Sequence, residues 1–527
     1  MKQIENITTA IEHSRLLREK FLSDPYRPGY HFVIPEDIGV PGDPNGAFYA
    51  NGRYHLMYLY ACRSDGFRWG HMSSTDLIHW RRHPDALIPD ELDGGIFSGG
   101  AFVDDDGTVY LSYWGLPVEG KAGSCGGLRI AKSSDVKNHY EKWEKFSDYA
   151  VACTHSGYTK GVDETGKPFL RGCSDPSNIW KKDGWYYMQA GQLTVLNEFR
   201  DKIGQPDAPV DMLGDWVELY RSRNLLDWEF VHRFYQRDRS NRWTDETEDD
   251  MCPSFLPLPK GKEGGEPSGK FLQLFIAHNR GAQYYIGSYD QQKDLFYPES
   301  HGRMSWNYSA YFAPEALMAP DGRQIMWAWF NDSMENEEQR GWSGVYGLPR
   351  SLWLREDGTL GMAPIQELQR LRYNPRNGID GVEQTSCEIQ IKARVGNSGR
   401  VGMRLYISEN GENYAEAYYQ AQAGQLIFDT SRAGSLYRAE PYKKPAPGLA
   451  QQQPPEEAPF ALQTGETLTL TIFIDKSVTE VYANDCQAVA RRVAPENPNN
   501  TGLSLICEGD AEILEVKSWD MMPSNPY

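Results

Sequence analysis

The chain has 527 residues, 54 Lys and Arg against 73 Asp and Glu, a formal charge of −19 and 40% apolar residues, with 31 Tyr, 15 Trp and 50 Gly. That balance excludes a binder of nucleic acid or of an anionic membrane, since no Lys/Arg cluster offers counter-charges to a row of phosphates, and it excludes a disordered chain. One ordinary core does not suffice at this length, and roughly two to four domains are expected, fewer if one is a large all-β unit.

The first segment, MKQIENITTAIEHSRLLREKFL, scatters charges through an amphipathic pattern, which predicts a surface helix within residues 1–30 and not a signal peptide. No apolar run has the length of a membrane span. The eight cysteines (62, 125, 153, 173, 252, 387, 486, 507) contain no C-x-x-C pair, so reduced thiols in a cytoplasmic protein are expected, and no metal site.

Next comes GDPNGAFYANGRYHLMYLY, residues 42–60. Alone, its Asp43-Pro-Asn-Gly reads as an ordinary type I turn. After it, apolar residues, an Asn-Gly turn and alternating apolar residues make a β-hairpin. The hairpin recurs as AFVDDDGTVYLSYW (101–114), NIWKKDGWYYMQAG (178–191), SFLPLPKGKEGGEPSGKFLQLFIAH (254–278, with a longer loop) and ALMAPDGRQIMWAWF (316–330). Five units on one template predict radial repetition of small antiparallel sheets, a five-bladed β-propeller over 31–362, with an array of β-sandwiches as the competing architecture. After a linker at 363–375, alternating segments such as EIQIKARV and LTLTIFID in 376–527 predict a β-sandwich, so the fold class is all-β. The sandwich is expected to be structural or accessory, with carbohydrate binding as the alternative, and a surface through which copies could associate.

The first strand of each propeller blade lines the central channel, so the residues just before each hairpin should meet around one axial pocket. They are Asp43, Ser98, Asp175, the run Glu248-Asp249-Asp250, and Tyr311-Phe312. Asn45, Trp69, Phe97, Ser98, Asp249 and Tyr311, in or beside that ring, are candidate substrate-binding residues. Three converging carboxylates suit retaining glycoside hydrolysis, in which one carboxylate attacks the anomeric carbon and a second carboxyl protonates the leaving oxygen and later activates water. Asp43, short and fixed by its turn, suits the nucleophile. Glu248, longer and beside other acids, suits the general acid. Asp175 would stabilise the oxocarbenium-like transition state.

These motifs resemble glycoside hydrolase family 32, the invertases, fructanases and related β-fructofuranosidases. The resemblance runs through GDPNG, WGHMSSTDLIHW, GIFSGGAFVDDDG, CSDPS, AQYYIGSYD, YFAPEALMAPDGRQIMWAWF, GWSGVYGLPRSLWLREDGTLGMAPIQELQRLR and IDKSVTEVYAND. It implies a propeller followed by a sandwich, retaining chemistry on a small carbohydrate, Asp43 as nucleophile, Asp175 as stabiliser, and no metal or organic cofactor. The sequence also departs from the family. The aromatic-Met-Asn before Asp-Pro is here Val40-Pro41-Gly42, the Gln of the next strand is Leu59, the Arg before the second Asp-Pro is Ser174, and the position before Cys252 is Met251. Methionine cannot transfer a proton. The acid is therefore expected in the preceding run, at Glu248 with Asp249 and Asp250 in reserve, and Arg171 is a candidate replacement for the lost guanidinium, a surface arginine being the alternative.

Three functions fit: a glycosidase acting on a short fructoside or related furanoside, a fructosyltransferase of the same mechanism, and a catalytically inactive carbohydrate-binding protein. His278, at the end of a blade strand, either faces the pocket or serves structure. The DDDG of residues 104–107 lacks the further ligands of a calcium loop, and Cys173 and Cys252 have no histidine partner visible in sequence.

Overall fold

The structure is a computed structural model that describes residues 2–35, 40–62, 66–122, 124–152, 159–162, 166–196, 200–201, 204–235, 240–241, 243–245, 247–306, 310–331, 333–334, 340–434, 437–438 and 454–525. The chain separates into two compact units. Pro41–Trp329 with Pro349–Ile365 form one, and Met1–Val40, Phe330–Leu348 and Gln366–Tyr527 form the other.

The first unit is the five-bladed propeller. Each blade is an antiparallel sheet whose first strand leads the order: Val40–Ala50, Ile96–Val103, Cys173–Pro176, Met251–Gly261 and Tyr311–Met318. The turns are as local chemistry requires. Asn51 and Gly52 both take positive φ (49° and 74°), as do Asp183 and Gly184 (51° and 73°), the geometry of a two-residue hairpin loop that follows the twist of its strands. Two expectations fail locally. The fourth hairpin has no long loop, because its strands continue to Gly261 and from Gly264 through register shifts at Pro257, Pro259 and Gly261. Asp43-Pro-Asn-Gly is not a separate turn either. It lies within strand Val40–Ala50, kinked where Gly46 takes φ 49°.

Apolar faces are buried between neighbouring blades. Phe48, Met57, Trp69, Leu111 and Tyr113 fill the first interface, Leu128, Ile130, Met188 and Tyr220 the second, and Leu219, Phe234, Phe255, Phe275 and Tyr285 the third. Most of the aromatic excess is therefore core. Polar bonds stitch the inner strands along the same seams. Asn45 Oδ1 accepts the Gly99 N–H (3.1 Å), Ser112 donates to the Ser177 carbonyl (2.6 Å), and Asn178 both donates to and accepts from the Phe255 backbone (3.1 and 2.9 Å). Glu315 Oε1 accepts the Ala47 N–H at 2.7 Å and closes the ring from the fifth blade to the first. Where two backbones meet, only glycine fits: a Cβ on Gly100 would stand 2.2 Å from the Asn178 nitrogen, and one on Gly191 2.8 Å from the Asp250 carbonyl.

The first blade also holds a ladder of buried histidines. His55 and His71 share a hydrogen bond at 2.9 Å, and the His71 and His83 rings stack at 4.5 Å. Burial, with cationic neighbours adding to it, pushes His55 down to about 3 and His71 well below its usual value, so the folded ladder is neutral. Protons therefore bind the unfolded chain first as pH falls below about 6.5, and the ladder's contribution to stability, full above that pH, is lost progressively on acidification. Wild-type Tm should fall more between about pH 7 and pH 5 than that of His71→Gln. Equal slopes in thermal melts of the two proteins would refute this.

In the second unit, six strands (Arg372–Asn377, Ala511–Met521, Ser386–Val395, Leu468–Asp475, Val478–Ala483, Gln487–Arg492) form one sheet of a sandwich and five form the other. Alternation puts Ile389, Ile391, Met403, Leu405, Phe428, Leu470 and Ile472 in its core. Residues 363–375, expected as a linker, hold the 3-10 turn Gln366–Leu371 and the start of strand Arg372–Asn377, which pairs with Ala511–Met521. The helix Lys2–Ser23 precedes a segment tied into this unit, in which the backbone N–H groups of Gly29, Tyr30 and His31 all donate to Asp475.

Candidate active site

Asp43, Asp175 and Cys252, from the inner strands of blades 1, 3 and 4, come together at the channel. Cys252 Sγ lies 3.6 Å from Asp43 Oδ2 and 3.7 Å from Asp175 Oδ2, so one thiol proton serves two carboxyls and can be donated to only one at a time. Ser98, from blade 2, donates to Asp43 Oδ2 at 2.5 Å. Asn45 Nδ2 donates to the Asp43 carbonyl at 3.0 Å while its Oδ1 holds Gly99, so this side chain positions the strand that bears Asp43.

The backbone here is strained in a repeating way. Asp175 (φ 41°), Asp250 (φ 45°), Cys252 (φ 49°) and Ala313 (φ 48°) all occupy the left-handed region. Each such residue costs about 1–2 kcal/mol. Aspartate pays least among them, since its short polar side chain tolerates this region.

Burial pushes the Asp43 carboxyl up, against hydrogen bonds from Ser98 and Cys252 that favour its charged form. Asp175 is raised to about 7, by burial first and by the neighbouring Asp43 charge second. Two buried carboxyls side by side resist ionising together, and the pair titrates as a unit.

The acidic run divides. Glu248 is enclosed: its oxygens accept from Gln283 Nε2 (2.6 Å), Arg303 (3.1 and 3.3 Å) and the Asp245 N–H (3.2 Å). Asp250 is equally buried and accepts the Tyr235 hydroxyl at 2.5 Å. Asp249 takes both the backbone N–H and the Nδ1 of His278. His278 reaches the pocket. Burial alone would lower it, but the Asp249 carboxylate, with Asp175 and Asp43 adding their charges, raises it to about 9. Its ring meets Phe312 of blade 5 edge-on at 5.9 Å, and 47% of its side chain remains open.

Among the other sequence-predicted binding residues, Phe97 is half-buried against Phe67 (4.8 Å). Trp69 lies wholly within the core between blades 1 and 2, donating its indole N–H to the Phe97 carbonyl. Tyr311 is enclosed beneath the Arg350 guanidinium, 4.3 Å from its ring. Arg171, at the end of strand Pro168–Arg171 just before blade 3, is bound to that blade's Glu218 (2.9 Å) and Tyr220 (2.8 Å) and stacks on its Phe230. The structure thus brings Asp43, Ser98 and Asp175 together, gives Asn45 and Trp69 supporting contacts, and holds Glu248, Arg171 and Tyr311 in other partnerships. Sequence reasoning left His278 undecided. The available signal was its place at the end of FIAH, a strand paired through Ile276 with Met251. Among the described residues, no group of three or more His, Cys, Asp or Glu could hold a metal ion.

Comparisons with known proteins agree with this architecture. Residues 36–364 match the N-terminal domain of family 32 glycosyl hydrolases, and 364–520 match that family's C-terminal domain. A raffinose invertase of Escherichia coli is 28% identical over 93% of this chain and 94% of its own. A sucrose-6-phosphate hydrolase of Zymomonas mobilis is 26% identical over 99% and 97%. Among solved structures, a fructan 1-exohydrolase IIa variant of Cichorium intybus in complex with 1-kestose superposes with a TM-score of 0.75 at 20% identity, over 95% of this chain and 98% of that one. With both of its domains matched end to end by that family's, the chain is a glycosidase belonging to family 32 of the glycosyl hydrolases.

Proposed function

We propose that the protein hydrolyses the fructosyl bond of sucrose or a short fructo-oligosaccharide with retention, Asp43 attacking the anomeric carbon to give a fructosyl ester and Asp175 holding the sugar as charge develops on it. The convergence of Asp43 and Asp175 on Cys252 carries this reading, because two carboxyls from separate blades meet nowhere in a propeller by hairpin chemistry alone. The relatives that match most of the chain are named for raffinose, sucrose 6-phosphate and fructan, all of which contain a fructosyl unit. A cytoplasmic site of action belongs to the same proposal. Cys125, Cys173, Cys252, Cys387, Cys486 and Cys507 are free thiols, which suits a reducing compartment, and among the described residues no helix is long and apolar enough to cross a membrane. Self-association through the sandwich is proposed from the exposed Leu505 and Leu514 on its strands, and sedimentation would read it.

The test is hydrolysis of sucrose, 1-kestose, inulin and levan, with products identified and the first-formed anomer followed by NMR. Release of β-fructofuranose from the short substrates, faster than from the polymers, is expected. Initial release of the α-anomer would overturn retention, and inactivity on all four would overturn the fructoside assignment.

A further inference from the structure

We propose that His278, oriented by Asp249, is the group that passes a proton to and from the substrate, in place of Met251 and in preference to Glu248. This deepens the fructosidase reading and rests on it.

The groups near the channel leave little choice. Met251 holds no transferable proton. Glu248 is filled by donors from Gln283, Arg303 and the Asp245 backbone, and turning it away would strand the buried Gln283 amide and break the Arg303 ion pair. Asp250 faces Tyr235. Asp249 spends both oxygens on His278. The imidazole stands beside the reacting carboxyls: the strand it follows pairs through Ile276 with Met251, the neighbour of Cys252, whose thiol touches Asp43 and Asp175, and its Nδ1 is committed to Asp249. Nε2 is thereby left as the ring nitrogen for substrate, on a side chain still 47% open.

The step balances. Asp43 Oδ forms a bond to the anomeric carbon as the bond to the leaving oxygen breaks. That oxygen keeps the electron pair and takes the Nε2 proton, leaving a neutral imidazole and a neutral alcohol. Water then attacks the same carbon, the ester bond to Asp43 breaks, and Nε2 accepts the proton that water gives up. The surroundings suit both halves. Three carboxyls face His278: Asp249 and, across the pocket, Asp43 and Asp175, with the Cys252 thiol between the last two. Ser98 of blade 2 and Phe312 of blade 5 bring no charge, and Arg280, two residues on, is turned toward Asp245. Free enzyme at neutral pH thus carries imidazolium, an acid. Once Asp43 is esterified its negative charge is gone, the imidazolium is less favoured, and the ring becomes a base.

The experiment compares wild type, His278→Gln, Glu248→Gln and Asp249→Asn on sucrose, whose leaving group needs a proton, and on p-nitrophenyl β-fructofuranoside, whose leaving group does not. Azide is added as a nucleophile that needs no base, and Tm is recorded for every variant. His278→Gln is expected to lose at least about 10²-fold in kcat/KM on sucrose but under about tenfold in kcat/KM on the aryl substrate, with azide restoring the aryl kcat as fructosyl azide. Asp249→Asn should lower kcat with KM little changed and move the alkaline limb of the pH profile downward. NMR should show the His278 titration falling in Asp249→Asn and in Asp43→Asn. The proposal is overturned if His278→Gln loses kcat/KM equally on both substrates, if it keeps sucrose activity within about threefold of wild type, or if leaving-group dependence with azide rescue appears in Glu248→Gln instead. A wild type inactive on both substrates removes the fructosidase reading itself, and this proposal with it, an outcome distinct from an active wild type with an active His278→Gln.

Discussion

Asp43→Asn should lower kcat/KM on fructosides by on the order of 10⁵-fold while leaving the protein folded. The amide has the carboxylate's shape and can still accept the Ser98 hydroxyl, so the kinks and seams around it need not move. It lacks the nucleophilic oxygen, however, and no nearby group can supply one from that position. Rapid-quench mass spectrometry should find wild type carrying one added hexosyl unit during turnover and the variant carrying none. Loss of the Asp43 charge should also let Asp175 titrate below its wild-type value of about 7, since that charge is the second cause of its elevation. Activity of Asp43→Asn within tenfold of wild type would remove Asp43 from the chemistry.

Asp175→Asn should do two things at once: reduce kcat by about 10²–10³-fold, as loss of a single positioned transition-state contact does, and make the protein more stable. The stability gain follows from linkage. Asp175 ionises near 7 in the fold against about 3.9 in the unfolded chain, so above pH 7 the folded state bears the full cost of a charge that the unfolded state carries freely. Asparagine removes that cost, and it also tolerates the left-handed backbone at φ 41°. The gain, on the order of a few kcal/mol, should be complete above about pH 7 and should vanish as pH falls toward 4. Thermal melts of both proteins at pH 8 and pH 4 would read it. A variant Tm at or below that of wild type at pH 8 would refute it. The buried acid is thus a group whose cost to folding is tolerated for activity.

Hairpins were legible because their signals are local: period-two alternation and an Asn-Gly or Asp-Gly turn need no knowledge of the rest of the chain. The meeting of Asp43 and Asp175 was legible for a related reason, as both stand at the same point of a repeated unit. The orientation of Glu248, Asp249 and Asp250 was not. Three adjacent acids look alike in sequence, and which faces the channel depends on left-handed backbone at Asp250 and Cys252 and on partners as distant as Arg303 and Gln283. Trp69 and Tyr311 failed as binding candidates because proximity to the ring in sequence does not say which face of a strand a side chain takes. The outcome rests on packing between strands far apart in sequence, which buries Trp69 in the core between blades 1 and 2 and Tyr311 beneath Arg350.

The contacts at Gly100 and Gly191 bear on how this enzyme could change its substrate. Backbone meets backbone at the seams between blades 2 and 3 and between blades 3 and 4, with no room for even a methyl group. The spacing of the blades at these seams is therefore set by main chain, and a side chain in place of either glycine would push two blades apart. New specificity is accessible mainly at the channel's mouth, where connecting loops can lengthen at little cost in free energy. A divergent lineage on this scaffold would keep these seams and its carboxyls and would diversify in its rim.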